Sequence, residues 1–182
     1  MSKLVRPHGG GQLKSLLIQG NIRSEQLRKA KEMPKIPMSS REIADVLMLS
    51  MGAYTPLDGF MCEDDWRESC KSMKLENGIF WPIPITLSAK RELADTISEG
   101  QDVALVDDSY EEIYATMTVV QKYQPDKNLE CRSVFRTIDS EHPGVVKVLN
   151  QGEVNLGGPI QVLNEGNLPK QFQELYLRPN ES

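Results

Sequence analysis

The stretch from Ser39 to Met61 constrains the fold of this chain more than any other part of the sequence. Ser39 and Glu42 have the spacing of a capping box, which predicts the first turn of a helix. Gly52 stands where a left-handed helix cap is needed, and the residues between follow a helical stripe: Ile43, Val46, Leu47, Ser50 and Met51. This segment therefore predicts a helix whose apolar face is core.

The loop after this helix is unusually apolar for a connection between two helices. Gly52–Phe60 leads into an acidic triplet (Glu63, Asp64 and Asp65) at the start of a second predicted helix, and Lys71 and Lys74 lie near its end. This charge order suits a helix dipole, and we prefer that interpretation of the triplet to a metal site because the spacing of a calcium loop is absent. Trp66, Cys70 and Met73 should share one face of this helix.

The rest of the sequence predicts short helices and a curled, largely antiparallel sheet, and hence an α+β fold. Asn77-Gly78 is a turn signal, and the β-formers after it include Pro82 and Pro84, which restrict them to an edge or bulged strand. The predicted elements are a helix over 24–33, an extended segment over 34–37, a strand over 79–87, a hairpin of strands 102–107 and 113–121, and a helix over 125–135.

Composition excludes several classes of protein. The 182 residues carry a formal net charge of -5, which argues against a surface that tracks phosphate backbones, so we expect no nucleic-acid partner. No apolar run reaches the roughly 18 residues that span a bilayer, so we expect no membrane partner. The first residues contain no apolar stretch as long as a signal peptide needs, so we do not expect export by that route. Three cysteines fit reduced thiols and a cytoplasmic protein.

Local motifs for catalysis are missing from the sequence. No glycine is followed by lysine, which excludes a phosphate-binding P-loop. His8 and His142 lie far apart in the chain and cannot form a paired-histidine motif, and the context of His142, before Pro143 and Gly144, predicts a turn or capping residue. We therefore assign no catalytic, cofactor-binding or metal-binding residue, and expect no cofactor to be bound by this domain.

An ordered set of short segments resembles the N-terminal domain of ATP sulfurylase (sulfate adenylyltransferase). Each segment is weak evidence alone, but together they cover nearly the whole chain. They are Arg41–Asp45 (REIAD), Gly52–Met61 (GAYTPLDGFM), Trp81–Leu87 (WPIPITL), Asp102–Asp107 (DVALVD), His142–Val145 (HPGV), Gly157–Pro159 (GGP) and Leu175–Pro179 (LYLRP).

This resemblance implies a PUA-like domain, a bent and mostly antiparallel β-barrel with several short helices, over residues 1–168. Residues 169–182 would be a connector toward a catalytic nucleotidyltransferase domain. The family makes adenosine 5′-phosphosulfate and pyrophosphate from ATP and sulfate with Mg²⁺, or runs the reverse reaction in sulfur oxidisers. Its catalytic signature lies in that second domain, so the 182 residues alone should be inactive. Implied partners are the protein's own catalytic domain and, in a homo-oligomer, further copies.

Two questions stay open at the level of sequence. The loop residues Pro56, Leu57, Phe60 and Met61 could pack partly toward the catalytic domain, or could serve only their own core. The chain could also be an independent PUA-like binding module, for example one that binds RNA. A clustered basic face with exposed aromatic residues would favour the RNA-binding module, whereas a bare apolar patch near the C-terminus would favour the sulfate-activating enzyme.

Overall fold

A computed structural model describes residues 5–109, 111–171 and 173–181. Contacts divide the chain into two compact units that interleave in sequence. The first unit comprises residues 1–59, 102–118 and 159–182, and the second comprises residues 60–101 and 119–158. The division into residues 1–168 and a connector over 169–182 stays a prediction.

The chain alternates short helices and short strands. In order they are α1 (Gly20–Ala30), β1 (Lys35–Pro37), α2 (Ser40–Ser50), β2 (Gly59–Phe60), α3 (Glu63–Ser72), β3 (Leu87–Ala89), α4 (Arg91–Ala94), β4 (Asp102–Val106), β5 (Ile113–Thr118), β6 (Gln121–Tyr123), α5 (Lys127–Val134), α6 (Pro143–Leu149), β7 (Val154–Val162) and α7 (Leu168–Gln171).

The first unit is built on the predicted hairpin. Strands β4 and β5 pair antiparallel from Asp102 opposite Thr118, and β1 pairs parallel with β4 on the other side. The C-terminal part of β7 pairs antiparallel with β5. Helix α1 contributes Ala30 to a fully buried cluster with Ala104 and Leu163, which joins the helix to this sheet.

The second unit pairs β3 and β6 antiparallel with the N-terminal part of β7. Helix α5 packs against both α3 and α6 in this unit. Cys131, Val145 and Val148 form a buried cluster there, with Phe135 against it. The indole Nε1 of Trp66 donates a 2.7 Å hydrogen bond to the buried Glu130 carboxylate, which satisfies both groups away from water.

Helix α2 confirms the capping prediction in detail. The Ser39 backbone N–H donates to Glu42 Oε2 at 2.7 Å, and the Glu42 N–H donates to Ser39 Oγ at 3.4 Å. Gly52 follows the helix with φ +80°. Its buried face carries more than the predicted apolar stripe, because Glu42 and Asp45 are buried as well.

Four details of the predicted elements are wrong. The strand predicted over 79–87 is β3, which begins only at Leu87, because Pro82 and Pro84 have no N–H for a ladder. Met73 leaves the face of α3 that buries Trp66 and Cys70, since it adopts a left-handed conformation (φ 53°) and is exposed. Helix α1 begins at Gly20 instead of residue 24, and the run over 113–121 is split between β5 and β6.

Within residues 5–109, 111–171 and 173–181, no helix is both long enough and apolar enough to cross a membrane.

Candidate interface site

The GAYTPLDGFM segment after α2 (Gly52–Met61), called the signature loop below, is fixed in position at its first residue. A Cβ on Gly52 would lie 2.9 Å from Leu13 Cγ and 3.2 Å from the carbonyl oxygen of Lys14, so only glycine fits beside this backbone. The Thr55 hydroxyl donates to Gly52 O at 2.6 Å and accepts from the Lys14 N–H at 2.9 Å. The N-terminal segment and the loop are therefore tied together.

Lys14 makes a second set of contacts with the far end of the loop. Its Nζ lies 3.1 Å from Asp58 Oδ2 and 3.4 Å from Pro56 O. The ion pair is exposed, so it contributes little to stability.

A buried carboxylate joins the loop to α2. The Tyr54 hydroxyl donates to Asp45 Oδ1 at 3.2 Å, and Arg41 Nη1 donates to Asp45 Oδ2 at the same distance. Burial raises the pKa of Asp45 to about 6, against the opposing effects of the Arg41 charge and the Tyr54 hydrogen bond. The two segments REIAD and GAYTPLDGFM, distinct in the sequence, are thus in direct contact.

The C-terminal segment is attached to the end of the same helix. Arg178 forms a two-pronged ion pair with Glu165, and the Ser50 hydroxyl donates to Glu165 Oε1. The Tyr176 hydroxyl lies 3.9 Å from Met51 Sδ. Tyr176 and Arg178 therefore point inward, whereas the alternate residues Leu175 and Leu177 are 81% and 65% exposed. The C-terminal segment therefore carries two exposed leucines.

The predicted interface residues differ in exposure. Leu57, Phe60 and Met61 are only 8%, 3% and 2% exposed, and Pro56 is half-buried. By contacts, Pro56 and Leu57 belong to the first unit, and Phe60 to the second together with Met61. Pro56 is therefore the predicted residue with surface available to a partner.

Met61 is built into the interior of the second unit. Its N–H donates to Ile85 O at 2.9 Å, and the Tyr123 hydroxyl donates to its carbonyl oxygen at 3.1 Å. A Cβ on Gly157 would lie 2.7 Å from the same oxygen, which explains the glycine of the GGP segment.

The acidic triplet and His142 have structural partners. Glu63 and Asp64 both pair with Arg67, and Asp65 Oδ1 accepts from the Glu76 N–H at 2.8 Å. His142 is the N-cap of α6, as its sequence context predicted. In the described part of the chain, no three His, Cys, Asp or Glu side chains come together as a metal-binding group.

Sequence reasoning missed the residues that anchor this site, namely Lys14, Asp45 and Glu165. Asp45 lies next to Val46 and Leu47 of the predicted buried face, and that position was the available signal. Lys14 and Glu165 gave none, because their partners lie 44 and 13 residues away along the chain.

The comparison with known families decides the fold class. The PUA-like domain family matches residues 5–165. This chain belongs to the PUA-like domain family. The predicted α+β, PUA-like fold class is thereby confirmed.

Full-length relatives of this PUA-like chain agree with the predicted resemblance. This chain is 49% identical over its whole length to a sulfate adenylyltransferase from Thiobacillus denitrificans, and 48% identical to one from Ruthia magnifica. A third, from Syntrophobacter fumaroxidans, is 50% identical over 184 aligned residues. The chain spans 44%, 44% and 45% of these proteins, so it corresponds to less than half of each.

A solved structure extends the comparison to three dimensions. The hexameric APS kinase from Thiobacillus denitrificans superposes with a TM-score of 0.73 and 26% identity. The match covers 98% of this chain and 30% of that protein. The PUA-like fold therefore recurs as one part of a larger chain.

Proposed function

We propose that this chain is the N-terminal PUA-like domain of a sulfate adenylyltransferase, in which it supports a catalytic domain. The observation that carries the proposal is the match of 48–50% identity along the whole chain to relatives of that name, less than half of which it spans. The whole enzyme would join ATP and sulfate to give adenosine 5′-phosphosulfate and pyrophosphate, or run the reverse reaction.

In this proposal the catalytic domain, which lies outside these 182 residues, carries out that reaction. ATP and Mg²⁺ would be bound by the catalytic domain, because the described residues bring together no set of metal ligands and the sequence has no P-loop. We derive no catalytic step on this chain. Its contribution is to hold the catalytic domain in place.

The exposed leucines near the C-terminus support this role. Leu175 and Leu177 are exposed, and the segment that carries them is tied to Glu165 through Arg178. We propose that they pack on the catalytic domain, together with Pro56 of the signature loop. The net charge of -5 disfavours the alternative of an independent RNA-binding module.

Two further features of the whole protein belong to the same proposal. We place it in the cytoplasm, because Cys62, Cys70 and Cys131 are free thiols. We also propose a homo-oligomer, on the analogy of the hexameric structural relative. Light scattering on the full-length protein measures its subunit count directly, and a monomer would contradict the proposed homo-oligomer.

A chimera tests the proposed function. The matched segment of the Thiobacillus denitrificans enzyme is replaced by this chain, and pyrophosphate release from ATP and sulfate is measured. We expect turnover by the chimera, none by the 182-residue chain alone, and less by the rest of that enzyme expressed alone. A folded chimera no more active than that remainder would contradict a supporting role.

A further inference from the structure

The first unit contains a cavity of about 240 Å³ that the proposed function does not use. It lies among the segment that leads into α1, the end of β7 and the residues after it. Its polar lining consists of Gln19, Arg23, Asn164, Glu165 and Lys170, with Gly166 at the turn. The volume accommodates several water molecules or one tetrahedral oxyanion with some water.

The charges in this lining are unbalanced. Arg23 is half-buried, and its Nε donates to the carbonyl oxygen of Leu163, which holds the guanidinium in place. In the described ranges no carboxylate forms an ion pair with Arg23 or with Lys170. Both terminal nitrogens of Arg23 and the ammonium of Lys170 are therefore available to a ligand.

The acidic residue in the lining does not cancel these charges. Both oxygens of Glu165 accept hydrogen bonds from Arg178, and Oε1 also accepts one from Ser50. The Asn164 amide is likewise engaged, since its Nδ2 donates to Glu112 Oε1. The uncommitted polar groups are thus two cations and the carboxamide of Gln19, which makes no cap for α1.

We propose that this cavity binds a tetrahedral oxyanion, either free sulfate or phosphate or the phosphate group of a larger ligand. A guanidinium fixed through its Nε presents its two terminal N–H groups in the fork that matches two oxygens of such an anion. Lys170 supplies a second positive charge in the same lining. Because the chain is acidic overall, this local positive charge is not a by-product of a basic surface.

Titration of the full 182-residue chain with sodium sulfate and sodium phosphate, followed by amide NMR shifts, tests the site. We expect saturable shifts at Arg23 and Gly166, and weaker binding as chloride is raised. Arg23→Gln should weaken binding at least about tenfold, as expected for the loss of a charge-assisted hydrogen bond. Lys170→Gln, at an exposed position, tests the second charge if Arg23→Gln does not fold.

Lys29→Gln is the matched control, because it removes one charge from the same helix at a residue that already pairs with Glu25 at 2.8 Å. It should leave the affinity unchanged. Absence of saturation, or equal affinity in Arg23→Gln and the control, would overturn the site. Adenosine 5′-monophosphate distinguishes the sources: tighter binding than phosphate assigns the site to a nucleotide phosphate, and equal or weaker binding to the free anion.

Discussion

Asp45 shows how one buried side chain can fix a loop at a cost to stability. Its carboxylate accepts hydrogen bonds from Arg41 and Tyr54, which joins α2 to the signature loop. Burial nevertheless raises its pKa from 3.8 to about 6. The fold is therefore favoured by the protonated form, and this contribution is complete below pH ~4 and lost as the pH rises through about 6.

The Asp45→Asn variant should gain stability relative to wild type as the pH rises. Asparagine keeps an acceptor for Tyr54 and avoids a buried charge, although it weakens the Arg41 contact. We expect the difference in unfolding free energy to change in its favour by about 1–3 kcal/mol between pH 4 and pH 8. Urea unfolding at both pH values measures this difference. A difference independent of pH would contradict the assignment to Asp45.

Gly52 combines two constraints that can be separated experimentally. Gly52→Ala should cost about 1–2 kcal/mol for its positive φ and a further ~1–3 kcal/mol for the contacts with Leu13 and Lys14. Gly100 is the control, because it has φ +85° but nothing within 4 Å of an added Cβ. Gly100→Ala should therefore show only the first cost in urea unfolding. Equal losses in the two variants would remove the close approach as the explanation.

At the level of elements, α6 depends on an uncommon cap. His142 Nδ1 accepts from the N–H groups of Gly144 and Val145 at 3.2 and 3.4 Å, so that nitrogen must be unprotonated. The imidazole also packs against Phe135 in a tilted arrangement, with the ring centroids 5.0 Å apart. Capping and packing are thus combined in one residue.

His142→Asn and His142→Ala should separate these contributions. Asparagine keeps the cap and loses the ring contact, whereas alanine loses both. We expect the unfolding free energy to fall in the order wild type, Asn, Ala, with about 1 kcal/mol between the two variants. Urea unfolding at pH 8 measures the order. Equal stability of the two variants would show that the cap contributes nothing.

The elements also show where sequence patterns were sufficient. The capping box of α2, the β4–β5 hairpin and the cap at His142 are local, because the residues involved lie close together in the chain and their chemistry specifies the geometry. The strand prediction for the WPIPITL segment was wrong because its β-forming residues were given more weight than its two prolines. Proline removes the N–H on which a strand ladder depends, so most of the segment lies outside β3.

At the scale of the whole molecule, the exposed leucines of the C-terminal segment should matter only when the catalytic domain is present. Leu175→Asp with Leu177→Asp should change the unfolding free energy of the 182-residue chain by less than about 0.5 kcal/mol. In the chimera the same pair should lower pyrophosphate release about tenfold, because charge would enter an apolar interface. The exposed Val5→Asp is the control, and an unaffected chimera would contradict docking through these residues.

The sequence by itself determined the α+β class, the starts of α2 and α3, and the relationship to sulfate adenylyltransferases. These depend on short-range backbone chemistry and on the order of motifs along the chain. Only the tertiary structure decided that Leu57, Phe60 and Met61 are buried, that Asp45 joins two motifs, and that Glu165 anchors the segment presenting Leu175 and Leu177. The physical reason is that burial and ion pairing depend on residues distant in sequence, whose approach no local pattern specifies.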